Sequence, residues 1–267
     1  MRARRTLRAV TLSGLLLVGC RSVRMPGSLE GLFSTSPEEP AARFYDAFLS
    51  RSSVTPDGEL NEDAWQRAFW TELFTQPGSA DAEPAPASEP VEAAIVHDKY
   101  RVVLAFRCRD QAVVVPHTGR DQPVWEGDSV GVLIDADRSG ENIRAVYVSP
   151  SNDLTDLNLV RVGADGDPGQ WRANALWDDM TLHSGAARTA EVDPATGRTN
   201  QVWTVELAIP LRAVTRHQPE IAEGREWRVQ LIRTNARQEA AEPVEVNLWS
   251  PARLYFKPST YGRLRFH

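Results

Sequence analysis

Gly127-Asp128-Ser129-Val130-Gly131 has the G-x-S-x-G spacing of a nucleophile elbow, the turn from which a serine hydroxyl attacks an acyl carbonyl. That chemistry needs a strand before the serine and a helix after it, because the strained turn must lift the hydroxyl above a parallel sheet. Here the polar segment TGRDQPVWEG comes before the serine and the β-branched run VGVLID comes after it. The order is inverted, so Ser129 is expected at the start of a strand and not as a nucleophile.

Other chemistry is thinly supplied. Asp135, Asp137 and Glu141 in DADRSGEN, with the carbonyls of the turn, could offer the six to eight oxygens that calcium prefers, yet a tight Asp/Gly hairpin also forms without metal. Structural calcium at these three acids is therefore carried as an expectation. The five histidines are dispersed and none has ligand spacing to another or to Cys108, which excludes a zinc site of ordinary pattern. A glycoside hydrolase would need two carboxylates facing each other across a sugar, but the acids fall mostly in turns and on polar strand faces, and none is marked as one of a pair. After the initiator, Met25 and Met180 are the remaining methionines, too little for an axial Met pair on haem, although a His or Lys ligand stays open.

The amino terminus carries a different kind of modification site. MRARRTLR is a basic leader, AVTLSGLLLV an apolar run too short for a stop-transfer helix, and LVGC ends it in small residues and Cys20. This box resembles that of bacterial lipoproteins. The resemblance implies that residues 1–19 are a signal peptide, that Cys20 is lipidated, and that residues 20–40 tether the anchor to a domain spanning 41–267. Arg21 follows the cysteine where an aspartate would retain a lipoprotein at the inner membrane, so an outer-membrane address in the cell envelope is expected.

Loss of residues 1–19 removes Arg2, Arg4, Arg5 and Arg8 and no acid, so 30 basic and 36 acidic residues become 26 and 36, a formal charge of −10. No basic patch suggests a nucleic-acid partner. With Cys20 acylated, Cys108 is the one thiol left and no disulfide forms within the chain; on the apolar face of a strand it is a small core residue.

The elements that position these residues are mostly strands. Tyr100, Val102, Leu104, Phe106 and Cys108 share one face of YRVVLAFRC; Trp203, Val205, Leu207 and Ile209 do so in QVWTVELAIP, and Trp227, Val229 and Leu231 in WRVQLIRT. Further strands fit SVGVLID, RAVYVS, DLNLVRV, WRANALW and GRLRF, with turns at GADGDPG and DPATG and an exposed loop at QPGSADAEPAPASEP. Helix is expected in LNEDAWQRAF, in PLRAV and near AARFYDAFLS. The pattern predicts an all-β chain, an antiparallel β-sandwich with one or two short helices and one core.

Taken in order, PDGELNEDAWQRAFWTELF, AAIVHDKYRVVLAFRCRD, VWEGDSVGVLIDAD, VWTVELAIPL, WRVQLIRTN and YFKPSTYGRLRF resemble the family 9 carbohydrate-binding modules and their DOMON-like relatives, over Pro56 to His267. The resemblance implies a jelly-roll or DOMON-like sandwich that binds sugars, often with calcium and often beside polysaccharide-degrading enzymes. It implies a two-ring clamp on the glycan, matched by Trp125 before GDSV and by Tyr255 before the closing PSTYG, because sugar rings present C–H faces that stack on aromatics. Asp128, Tyr147 and Trp249 complete the expected sugar-binding set. The acid expected two residues after Ser129 is Gly131, and the base expected on the next strand is Tyr147. Trp203, Trp227, Trp65 and Trp70 are expected in the core, Trp249 in either core or cleft, and Trp125, in a polar loop after Pro123, exposed toward ligand.

Overall fold

The computed structural model describes residues 39–79, 82–162, 171–174, 177–192, 194, 197, 199–215, 220–237, 244–254 and 256–267. Cys20, Met25, Tyr255 and the GADGDPG turn lie outside them. The described chain forms β1 (Phe44–Leu49), α1 (Asp63–Arg67), β2 (Val91–His97), β3 (Arg101–Asp110), β4 (Ser129–Asp135), β5 (Asn142–Val148) and β6 (Leu154–Arg161). It continues with β7 (Trp171–Asn174), β8 (His183–Val192), β9 (Thr199–Pro210), α2 (Leu211–Val214), β10 (Glu226–Asn235), β11 (Glu245–Leu248) and β12 (Gly262–Phe266).

The strands make two sheets. The first runs β7-β6-β5-β4-β10-β12-β1, with β11 also on β10; the second runs β1-β2-β3-β9-β8. β1 belongs to both: Phe44–Ala47 pairs with β12, and Phe48 and Leu49 pair with β2, parallel in each case. The other strand pairings are antiparallel, as the period-two pattern predicted. The helix expected near AARFYDAFLS is a correction, because that stretch is β1. Phe44, Ala47 and Phe48 fall at helical spacing while Tyr45 and Ala47 alternate, and pairing on both sides selects the strand. α1 and α2 fall where helix was expected, each about one turn long.

Alternate residues of both sheets meet in the central core, which includes Val102, Leu104, Phe106, Cys108, Trp203, Leu207, Trp227, Leu231 and Trp249. Tyr100, assigned to that face by pattern, lies before β3 and is 57% exposed. The outer faces are apolar as well. Trp65, Ala64 and Val54 cover Ala94, Val96, Val103, Ala105 and Ala208 on the second sheet. Buried Glu206 fixes that cover: its Oε1 accepts from Trp65 Nε1 at 2.6 Å, and its Oε2 accepts from the backbone N–H of Asp57 and Gly58 at 2.9 Å. Trp70, by contrast, is only partly buried and packs under the guanidinium of Arg107 at 4.4 Å.

Arg233 closes one end of the sandwich. Fully buried on β10, it donates to Asp110 Oδ2 at 3.0 Å and Glu89 Oε2 at 3.2 Å, and to the carbonyls of Glu89, Pro90 and Arg109. Those acceptors stand at the ends of β2 and β3, so one side chain ties the first sheet to the second. Removing one member of a buried pair leaves the other charge uncompensated. Arg233→Met is expected to cost about 3–5 kcal/mol in urea unfolding, and Asp110→Asn added to it to recover part of that loss.

Burial also makes stability depend on pH. It pushes the Asp128 and Glu206 carboxyls up to about 7 and Asp156 to about 6, despite the N–H groups that favour their ionised forms. A carboxyl whose folded pKa is raised holds its proton more tightly in the native state, so its contribution is full below about pH 4 and lost as pH rises through about 7. His97, lowered by burial, acts in the opposite sense as pH falls through its ordinary range, but burial raises Glu89 to about 7 and Asp135 to about 6 as well, so it is one group against five. The urea midpoint is expected to be higher at pH 5.5 than at pH 8; a midpoint that rises with pH would contradict this account.

Candidate functional site

In an antiparallel sandwich the outer face of a sheet is ordinarily polar. On the first sheet the side chains of Leu133, Ile143, Ala145, Tyr147, Leu159, Ile232 and Leu248 instead form a second apolar layer with Val124, Trp125, Ala252 and Tyr261. Two connections fold over it: the 3₁₀ turn Val124–Glu126, entered through Pro123, and the segment after β11. Leu157, Trp171, Ala173, Val246 and Phe256 pack against this layer while only partly buried, and they form its open rim. Trp171 Nε1 donates to Phe256 O at 3.2 Å, which holds the final connection against the edge strand β7.

The expected exposure of Trp125 is a correction. The ring is 7% exposed and packs edge-on against Tyr147, with centroids 5.6 Å apart and planes at 61°. The 3₁₀ turn directs the indole onto the sheet, and Glu126 beside it faces solvent in its place. Tyr147 is also buried, and burial pushes its hydroxyl well above the usual range. Gly131 lies opposite it on β4; a Cβ there would meet Tyr147 Cδ1 and Val146 O, each at 2.7 Å. The two departures from the family pattern therefore form one compensated pair, in which a glycine makes room for a ring.

Asp128 and Trp249 are further corrections as ligand-facing residues. Asp128 is fully buried, accepting from Val114 N at 2.5 Å and Ala236 N at 3.0 Å, so its carboxylate closes loops. Trp249 lies in the central core, edge-on to Tyr45 at 6.3 Å, over Gly262, where a Cβ would come within 2.1 Å of the indole. Ser129 begins β4, fully buried, with its hydroxyl 2.6 Å from Thr234 Oγ1, whose own hydrogen bond goes to Gly127 O. It has no access to a substrate.

Of the expected calcium set, Asp135 and Asp137 share a side-chain hydrogen bond, and Glu141 faces Arg161 at 3.9 Å. Asp135 Oδ2 also accepts from Gly140 N at 3.1 Å and lies 3.6 Å from Arg228, and Asp137 accepts from Ser139 N. Two other carboxylate triads among the described residues bring oxygens within 4.8 Å of one another. In Asp121, Asp156 and Asp178 the Arg120 guanidinium already occupies the position, 2.6 Å from Asp156 and 2.8 Å from Asp178. In Asp57, Glu62 and Glu206 the buried carboxylate is taken up by three N–H donors.

No family model matches the chain, and no curated protein matches its sequence. Solved structures do match its shape. A protein of Bacteroides uniformis ATCC 8492, proposed to bind carbohydrate, superposes with a TM-score of 0.61 at 14% identity, covering 86% of this chain and all of that one. A family 9 carbohydrate-binding module of Caldicellulosiruptor kristjanssonii in complex with glucose gives 0.54 at 14% identity, covering 83% of this chain and 95% of that one. The same module in complex with cellotriose gives 0.54 at 14% identity, with 83% and 93% covered. The fold is that of the family 9 carbohydrate-binding modules. On this fold the outer layer of the first sheet gathers Trp125, Tyr147 and Tyr261 with Trp171 and Phe256 packed against them, and these last two were not singled out in the sequence. The alternation in WRAN, which puts Trp171 and Ala173 on one face, was the available signal.

The Gly131 and Tyr147 pair gives a sharp test. Gly131→Ala is expected to destabilise the protein by about 1–3 kcal/mol, as overpacking does, and Tyr147→Ala in the same chain to remove part of that penalty while opening its own cavity. A double-mutant cycle in urea reads the coupling, and additive effects would separate the two residues.

Proposed function

We propose that the chain is a carbohydrate-binding protein of the bacterial cell envelope, lipid-anchored through Cys20 at the outer membrane, whose glycan ligand docks on the outer face of the first sheet. The observation that carries this reading is the apolar aromatic layer on a face that a sandwich would otherwise leave polar, with Trp171 partly buried at its rim. The family 9 fold and the glucose and cellotriose bound by the Caldicellulosiruptor module point to the same class of ligand. A sugar laid on Trp171 removes C–H surface from water without needing a charged partner. Association with glycan-degrading enzymes, in support of polysaccharide breakdown or uptake, follows from such a role.

The division of labour among the tryptophans differs from a symmetric clamp. Trp125 and Tyr147 form a buried floor, and the rim carries the ligand. Tyr147 beside Gly131 also favours a second reading, in which the layer is sealed by its own side chains and the domain is a scaffold.

Calorimetry with cellotriose and other oligosaccharides, together with pull-down on insoluble polysaccharides, separates the two. Trp171→Ala is expected to weaken binding by about 1–3 kcal/mol, roughly tenfold or more, with the thermal midpoint nearly unchanged. Trp125→Ala is expected to cost about 3–5 kcal/mol of stability, as a buried ring does. A wild type that binds none of the glycans establishes the scaffold reading.

A further inference from the structure

β1 carries an inverted pattern. Its inward positions are Tyr45 and Ala47, and its outward positions include Phe44 and Phe48, 64% and 49% exposed. The core is therefore satisfied without the phenylalanines, and a strand with one solvated face would place polar residues at those positions. Beside them stand Leu49, Phe69 and Leu73, at 46%, 66% and 57% exposure. Of the nine large hydrophobic residues exposed among the described residues, these five gather on β1 and the segment from Phe69 to Leu73. Phe48 packs against Phe69 at 6.0 Å and stacks on His267 at 5.1 Å, and a groove of about 700 Å³ opens between β1 and α1. An apolar strip of this kind marks an interaction surface.

Charge and chain length point to what covers it. The rim holds Arg43, Arg51, Arg67, Arg263 and His267 against Asp46, Asp63 and Glu72. Each of these acids is paired with a rim base: Glu72 with Arg43, Asp63 with Arg67, and Asp46 with His267. Arg51 makes no ion pair among the described residues, whereas Arg263 lies over the Phe44 ring at 5.4 Å and within 3.7 Å of Glu226, behind the strip. Rings with arginines at their border match an interface where acyl chains meet phosphate. The strip begins five residues after Glu39, where the described chain starts, and the nineteen steps from Cys20 to Glu39 span at most ~68 Å. A lipid at Cys20 thus keeps the strip within reach of the bilayer, where even weak contact is promoted by effective concentration.

We propose that Phe44, Phe48, Leu49, Phe69 and Leu73 form a membrane-contacting face that rests on a phospholipid surface with its rim arginines on headgroup phosphates. The proposal rests on lipid anchoring at Cys20. Within the first sheet β1 and β7 are opposite edges, six strand spacings or about 29 Å apart, so the strip and Trp171 are separate surfaces.

The test uses the mature chain from residue 20 with Cys20→Ser, which lacks the acyl group and keeps every described residue. It is sedimented with vesicles of phosphatidylethanolamine and phosphatidylglycerol. The parent is expected to bind, Phe69→Ser to lower the partition coefficient about threefold, and Phe48→Ser/Phe69→Ser to lower it at least tenfold, with the thermal midpoint unchanged because both side chains are exposed. A parent that does not bind, or variants that bind as well as the parent, overturns the proposal. So does a parent that is dimeric in light scattering and becomes monomeric with the same substitutions, since the strip is then covered by a second copy. Labelling of the full chain with palmitate tests the anchor separately: absence of label removes the anchoring reading, whereas the vesicle result judges the strip.

Discussion

A fully buried guanidinium holds the two sheets of this protein in register. Arg233 sits where the period-two pattern of β10 places its next inward side chain after Trp227, Val229 and Leu231, so a charge occupies a core position. Asp110 and Glu89 offset its charge, three carbonyls accept from its Nη1, and the Trp203 ring lies 5.8 Å from it. Each partner is at the end of a strand in the opposite sheet. A hydrophobic residue could fill the volume but could not specify which strand ends must meet.

With the sheets so fixed, both can afford covered outer faces. The second sheet is roofed by the α1 segment through the buried carboxylate of Glu206, a polar device that sets position where apolar contact sets only adhesion. The first sheet is roofed by the Trp125 turn and the connection after β11, with Trp171 and Phe256 partly buried at its border. The same logic explains the exchange at Gly131 and Tyr147, where loss of a side chain on one strand is matched by gain of a ring on its neighbour.

The two surfaces assigned to ligands lie apart. One edge of the first sheet carries the partly open aromatic rim, and the other carries the phenylalanine strip of β1, close to where the chain leaves toward Cys20. Neither surface competes with the core for its residues: Tyr45 and Ala47 fill the inside of β1, and Ile143, Ala145 and Leu159 fill the floor beneath the rim.

Alternation was enough to make the sandwich legible, because inward residues of β3, β9 and β10 repeat every second position and nothing in a local sequence mimics that over eight residues. The inverted order around Ser129 likewise excluded an elbow from sequence, since strand and loop propensities on either side are local properties. Other assignments depended on long-range neighbours. Trp125 looks exposed in its polar loop, yet a three-residue turn buries it on Tyr147. Asp128 looks like a ligand-facing acid, yet two backbone N–H groups from distant loops claim it. β1 looks helical until strands from the two ends of the domain pair with it on both sides. The sequence determined which faces are apolar, because periodicity is written along one strand. Only the tertiary structure decided which apolar face is sealed, which is open and which arginine is buried, because those depend on segments up to two hundred residues apart in the chain.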